Sequence, residues 1–164
     1  MLKRKSTLEW ARKHLVPSLP SLGQILDMPM LREIADTIDE TPARTFLILA
    51  PVQTFKSLLL ELRAARGMQV EPADTYWYFK SEQQGKDFAD EKFGRLREAA
   101  PVLTGIIAED AQAKTKMRTR LPSGHHTTLL SANVELNRSS RSAQEIFCDE
   151  TWDFEAEWMP QISN

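Results

Sequence analysis

Cysteine is almost missing from these 164 residues, and Cys148 stands alone. One thiol forbids an internal disulfide and any site built on several thiolates. It fits a reducing compartment, hence the cytoplasm. No apolar run approaches the roughly 18 residues of a membrane span. The opening MLKRKSTLEW is basic but has no apolar stretch behind it, which argues against a secretory signal. Excess positive charge is missing too: 21 Lys and Arg face 23 Asp and Glu, which argues against a strongly basic DNA-coating protein and leaves room for local basic patches. Internal repeats and low-complexity stretches are absent. The length suits one domain with a real core and is short for two.

What is there alternates between helical and strand patterns. Leu8, Ala11 and Leu15 have near-helical spacing, and Pro17 and Pro20 then make SLPSLG read as a loop. Leu31, Ile34, Ala35 and Ile38 form a helical stripe. Pro29 suits its first turn, Asp27 its cap, and Thr41-Pro42 its end. TFLILA, residues 45–50, is an unbroken apolar run of the kind that forms a strand buried on both faces. A helix follows from Lys56, with Gly67 placed to stop it. TYWYF, residues 75–79, predicts a second strand. Ser81 and Gln84 form a capping box for a helix whose face carries Ala89, Phe93, Leu96 and Ala100. KMRTRL and HHTTLLSA, split by Pro122-Ser123-Gly124, predict a hairpin. Residues 136–143 read as a loop or short helical turn, and EIFC then predicts a strand ending in two acids. The expectation is an α/β fold. Its mainly parallel sheet contains 45–49, 75–79 and 144–148, flanked by helices at 56–66 and 82–98.

Two segments carry chemistry. APVQTFKS, residues 50–57, lies between a strand pattern and a helix, where a phosphate loop belongs. There backbone N–H groups and a helix N-terminus surround phosphate. A lysine neutralises its charge, and a hydroxyl binds Mg²⁺. Lys56 and Ser57 stand in those two places. Both glycines of G-x-x-x-x-G-K-[ST] are missing: Ala50 replaces the first and Phe55 the second. A phenyl ring there crowds phosphate or burdens a left-handed backbone. On this segment alone, an ordinary strand–loop–helix with an exposed lysine is the better account, because the pattern lacks its glycines. The second segment is EIFCDE, residues 145–150, where Asp149 is placed to hold Mg²⁺ and Glu150 to orient the attacking water. Acids at the C-terminal end of a strand stand where open α/β sheets bind ligands, although a solvated strand end has the same look. Parallel strands bring both segments to one sheet edge.

The middle of the chain resembles the ATPase domain of GpA-type large terminase subunits of phages. MPMLREIADTI, FLILAPVQTFKS, YWYFKSEQQGKDFADEKFGRLREAAPVL, LPSGHHTTLLSAN and NRSSRSAQEIFCDETWDFE occur in that order, over roughly residues 20–160. The resemblance implies a P-loop NTPase fold. It assigns Ala50, Pro51, Val52, Gln53, Thr54, Phe55, Lys56 and Ser57 to Walker A, with Lys56 also catalytic. Asp149 and Glu150 become Walker B, Ser57 and Asp149 hold the metal, and Glu150 is catalytic. ATP and Mg²⁺ are the implied cofactors. Double-stranded DNA, the small terminase subunit and the capsid portal are the implied partners, and the cytoplasm of a bacterial host is the implied location. Homo-oligomers are expected when the protein is full length.

The family couples ATP hydrolysis to DNA translocation into the capsid and carries a nuclease domain. The chain departs from it at Phe55, where glycine is usual, and at Met30, where an aromatic often precedes LREI. It also stops soon after Walker B. The expected layout is therefore a lead-in over 1–27 and a partial ATPase domain over 28–164, with the sheet incomplete after the Walker B strand and the nuclease domain absent. The alternative is an inactive terminase remnant that only binds partner proteins or DNA.

Other charged and aromatic residues have plainer expectations. Adjacent His125 and His126 would point to opposite faces of a strand and chelate poorly. Arg118 and Arg120 share one strand face and read as solvated. Arg138 and Arg141, just before the Walker B strand, are candidates for answering γ-phosphate. Trp10, Trp77, Trp152 and Trp158 are scattered, and core or interface packing suffices for them.

Overall fold

The structure, a computed structural model, describes residues 6–41, 43, 45–49, 51, 55–104, 114–115, 118–138 and 143–162. Four helices come first: α1 (Thr7–His14), α2 (Pro20–Leu26), α3 (Pro29–Glu40) and α4 (Lys56–Val70). Strand β1 (Thr75–Phe79) leads into α5 (Glu82–Asp87), a wider π turn (Phe88–Phe93), α6 (Gly94–Ala99) and α7 (Pro101–Thr104). The short strands β2 (Lys114–Thr115) and β3 (Arg118–Arg120) precede β4 (His126–Ser131), α8 (Glu135–Arg138), β5 (Glu145–Cys148) and α9 (Trp158–Ile162).

Among the described residues the sheet has the order β2-β3-β4-β1-β5. β1 lies between β4 and β5 and runs parallel to both, with Thr75 opposite Thr127 and Glu145. β3 joins β4 antiparallel through the expected hairpin, whose Gly124 has φ +90°, a backbone that favours glycine. This is an α/β fold, a mixed and mostly parallel sheet flanked by helices, compatible with a P-loop ATPase domain. Strand β1 is buried on both faces, which its near-continuous aromatic run requires. One face holds Trp77 and Phe79 against Leu129, Phe147 and Phe88, under Ala64 of α4. The other holds Tyr78 and Leu130 against Trp158 and Ile162 of α9.

A third core is helical. Leu8, Ala11 and Leu15 of the α1 region, Leu22 and Leu26 of α2, and Leu31 and Ala35 of α3 pack with Leu59, Leu62 and Ala65 of α4. Residues before and after position 27 therefore share one core. Helix α4 serves two of the cores at once, which is why apolar residues surround it almost completely.

Several local expectations are corrected. Residues 45–49 form no strand; Leu47 and Leu49 are 74% and 85% exposed, and only Ile48 packs on the helical core. An apolar run becomes a strand only when a neighbouring edge accepts its backbone groups, and no described edge does so here. SLPSLG is not all loop, because Pro20 begins α2, and proline suits a first helical turn. Asp27 does not cap α3; its carboxylate takes Arg12 and Arg32 instead, at 2.7 and 2.9 Å. Gly67 does not stop α4, which runs on to Val70. The capping box of Ser81 and Gln84 is present in both directions. Behind it the π turn shifts the buried face, so that Phe88 is buried and Ala89 only half-buried. The side chain of Phe93 lies outside the described residues.

Candidate functional site

Helix α4 starts in an unusual way. Its N-cap is Phe55, with φ 60° and ψ 22°, in the left-handed region. L-residues other than Asn and Asp rarely adopt it, at a cost of roughly 1–2 kcal/mol. This is the position where the phosphate-loop pattern has glycine. The phenyl ring is half-buried and packs on the helical core. Lys56 follows at the first helical position, and its Nζ donates to the Pro51 carbonyl at 3.2 Å. Ser57 is half-buried beside it. Ala50, Val52, Gln53 and Thr54 lie outside the described residues.

The acid pair follows β5, a strand with one edge on β1. The Asp149 carboxylate accepts the Glu150 N–H at 3.0 Å. Glu150 is the second left-handed non-glycine residue, with φ 55° and ψ 41°. Among the described residues only Phe55 and Glu150 combine a side chain with positive φ. Their loops approach one another: the Lys56 ammonium lies 5.5 Å from the centroid of the Trp152 ring, two residues beyond Glu150.

A cavity of about 170 Å³ opens where β1 and β5 end. Asp149, Glu150 and Asp153 line it together with Lys80, Phe88, Glu91 and Lys92. Two of these residues, Lys80 and Asp153, form an ion pair at 3.0 Å. Lys56 is not among the lining residues, so the cavity belongs to the acid side of the site.

Two residues beside these segments carry no site role in the sequence reading. Glu61, on α4 one turn after Ser57, is only 7% exposed. Burial raises its carboxyl to about 7, and the Asp149 charge pushes the same way against Lys92. Its signal was a lone acid inside the apolar string LLLEL. Trp152 is the other, 69% exposed while Trp10, Trp77 and Trp158 are buried, so core packing does not account for it. Cys148, just before the acids, has its thiol pushed up to about 12 by burial, which leaves it inert at neutral pH.

The remaining candidates have other engagements. Arg138 donates to the Ala132 carbonyl, and to Gln161 at 2.7 Å, with its guanidinium 5.2 Å from the centroid of the Trp158 ring. A role at phosphate would require it to leave these groups. Arg141 lies outside the described residues. His125 and His126 both approach Asp74, at 3.5 and 3.8 Å. Burial, then Arg118, hold the His126 imidazole below its ordinary value. Among the described residues no cluster of three or more His, Cys, Asp or Glu forms a metal cage. Arg118 and Arg120 are exposed on one face of β3. No described helix is long and apolar enough to cross a membrane.

The family model for the phage terminase large subunit gpA, ATPase domain, matches residues 3–161. No curated protein and no solved structure matches the chain.

Proposed function

Because the chain belongs to the family of the phage terminase large subunit gpA ATPase domain, we propose that it binds and hydrolyses ATP with Mg²⁺ as part of a DNA-packaging motor. Double-stranded DNA, the small terminase subunit and the capsid portal are its partners in this reading, and the bacterial cytoplasm is its setting. The observation that carries the reading is the pair of left-handed residues. Phe55 and Glu150 are far apart in sequence, yet each belongs to one of the two chemistry-bearing segments. Strain of this kind persists where the surroundings over-determine it, and such places cluster at functional sites.

The residues present fit a metal–nucleotide. Lys56 is at the N-terminus of a 15-residue helix, the end that attracts anions. Asp149 uses one carboxylate oxygen on the Glu150 N–H. A monodentate hold on a hydrated Mg²⁺ needs only the other.

In this reading Ala50 to Phe55 would belong to the nucleotide-binding segment. Lys56 would hold the β and γ oxygens, Ser57 and Asp149 would hold the metal, and Glu150 would orient the attacking water and take its proton. Mg²⁺, when bound, neutralises the charge that develops on the transferred phosphoryl group. The Phe55 ring, packed on the helical core, need not enter the phosphate space. That weakens the alternative of an inactive remnant.

Calorimetric titration with Mg-ATP tests the reading. The wild-type chain should bind, and Lys56→Met and Asp149→Asn should each lose at least tenfold in affinity. Equal affinity in all three would remove both residues from the site.

A further inference from the structure

We propose that Arg63 and Glu145 form a positioning clamp that sets the register of α4 against β5, and through it the approach of Lys56 to the acid turn. The inference rests on the ATPase reading for its purpose, though its geometry stands apart. Arg63 Nη2 meets Glu145 Oε1 at 3.1 Å, and Arg63 Nη1 meets Asp39 Oδ1 at 2.6 Å. Asp39 is buried and also accepts the Thr7 N–H at 2.6 Å and the Thr7 hydroxyl at 2.9 Å. One guanidinium therefore ties α4 to β5 and α3, and the Asp39 carboxylate extends the tie to α1. Such a fork fixes direction as well as distance, which a lysine cannot do.

Gly67 completes the clamp. It lies one turn after Arg63 on the same face of α4, inside a helix where glycine costs roughly 1 kcal/mol relative to alanine. A Cβ there would come within 3.2 Å of Glu145 Oε2. Both oxygens of one carboxylate thus lie against α4, one on a charge and one so near Gly67 that a Cβ there would press on it. The Glu145 backbone is fixed as well, because Gln144 and Glu145 both donate to the Asp74 carbonyl at the start of β1.

The lever arms are similar. From Arg63 back to Lys56, α4 covers about 10 Å. From Glu145 forward to Asp149, β5 covers about 13 Å. A clamp at one end of two stiff elements of similar length governs the gap at the other. At that end Lys56 faces Trp152.

The test uses the whole chain and two variants. Glu145→Gln keeps shape but removes the charge, and Gly67→Ala keeps the charge but displaces the carboxylate. The first readout needs no nucleotide. It is the ¹H–¹⁵N indole cross-peak of Trp152, assigned with Trp152→Phe and calibrated with Lys56→Met, which shows the ring without its cation. In both clamp variants this peak should move toward its Lys56→Met position, while the Trp77 and Trp158 peaks stay. A Trp152 peak at its wild-type position in either folded variant overturns the proposal. The second readout is the ratio of ATP affinity with Mg²⁺ to that with EDTA, expected to fall about tenfold in both variants. A displaced Trp152 peak with an unchanged ratio makes the clamp merely structural and overturns its positioning role. A displaced peak in a chain whose wild type binds no Mg-ATP leaves the clamp standing and refutes the ATPase reading.

Discussion

The Lys56 ammonium rests over the exposed ring of Trp152, 5.5 Å from its centroid, and donates at the same time to the Pro51 carbonyl. An exposed cation–π contact is worth about 0.5–1 kcal/mol. Hydrogen bonds from an ammonium to phosphate are stronger, so nucleotide should draw the lysine away. Trp152→Ala is therefore expected to raise Mg-ATP affinity by about two- to fivefold. Calorimetry decides, and a tenfold loss would show instead that the ring contacts nucleotide.

Phe55 carries two opposed contributions, a left-handed backbone and a ring packed on the helical core. Phe55→Ala keeps the first and loses the second, so it should destabilise the chain by roughly 1–3 kcal/mol. Phe55→Gly also relieves the backbone, and should be more stable than the alanine variant by about 1 kcal/mol. Urea unfolding of the three proteins measures both quantities. Since the ring packs against the helical core, Mg-ATP affinity of the glycine variant should lie within about threefold of wild type. A large gain would mean that the ring obstructs the loop after all.

Glu150→Gln should leave nucleotide affinity nearly intact and abolish turnover. Orienting and deprotonating water matters in the transition state far more than in the ground state. Steady-state phosphate release beside a binding isotherm checks this. Undiminished release would take Glu150 off the catalytic list.

Glu61 makes stability depend on pH in a direction opposite to most carboxylates. Burial raises its folded-state value from 4.5 to about 7. Between those values the folded chain keeps a proton that the unfolded chain has lost, so stability falls as pH rises through this window and levels off above it. Glu61→Gln should flatten the slope and stabilise the chain at pH 8 by an amount on the order of 3 kcal/mol. Denaturant midpoints at pH 5 and pH 8 supply the comparison; an identical pH slope in the variant would exclude Glu61 as its source.

The elements legible in the sequence are those whose signal is local. β1, β5, the hairpin around Gly124, helix α3 and the capping box of α5 are all of this kind. Residues 45–49 have as strong an apolar run as β5, but a strand also needs an edge to pair with, and composition says nothing about edges. Lys56, Ser57, Asp149 and Glu150 were named from residue type and order. Their neighbours were not: Arg63 meets Glu145 across 82 positions, and Glu61 feels Asp149 only because α4 folds over β1 and β5. The left-handed turn at Glu150 had no signal either, since glutamate gives no hint of positive φ.

That turn sets folding and chemistry against each other in mutational drift. At φ 55° a glycine, asparagine or aspartate would sit more comfortably than Glu150 does. Each of these swaps shortens or deletes the carboxylate assigned to water. A library screened for folding alone should therefore shed Glu150 early. One screened for turnover should retain it, and its survivors should gather their stabilising substitutions elsewhere in the chain.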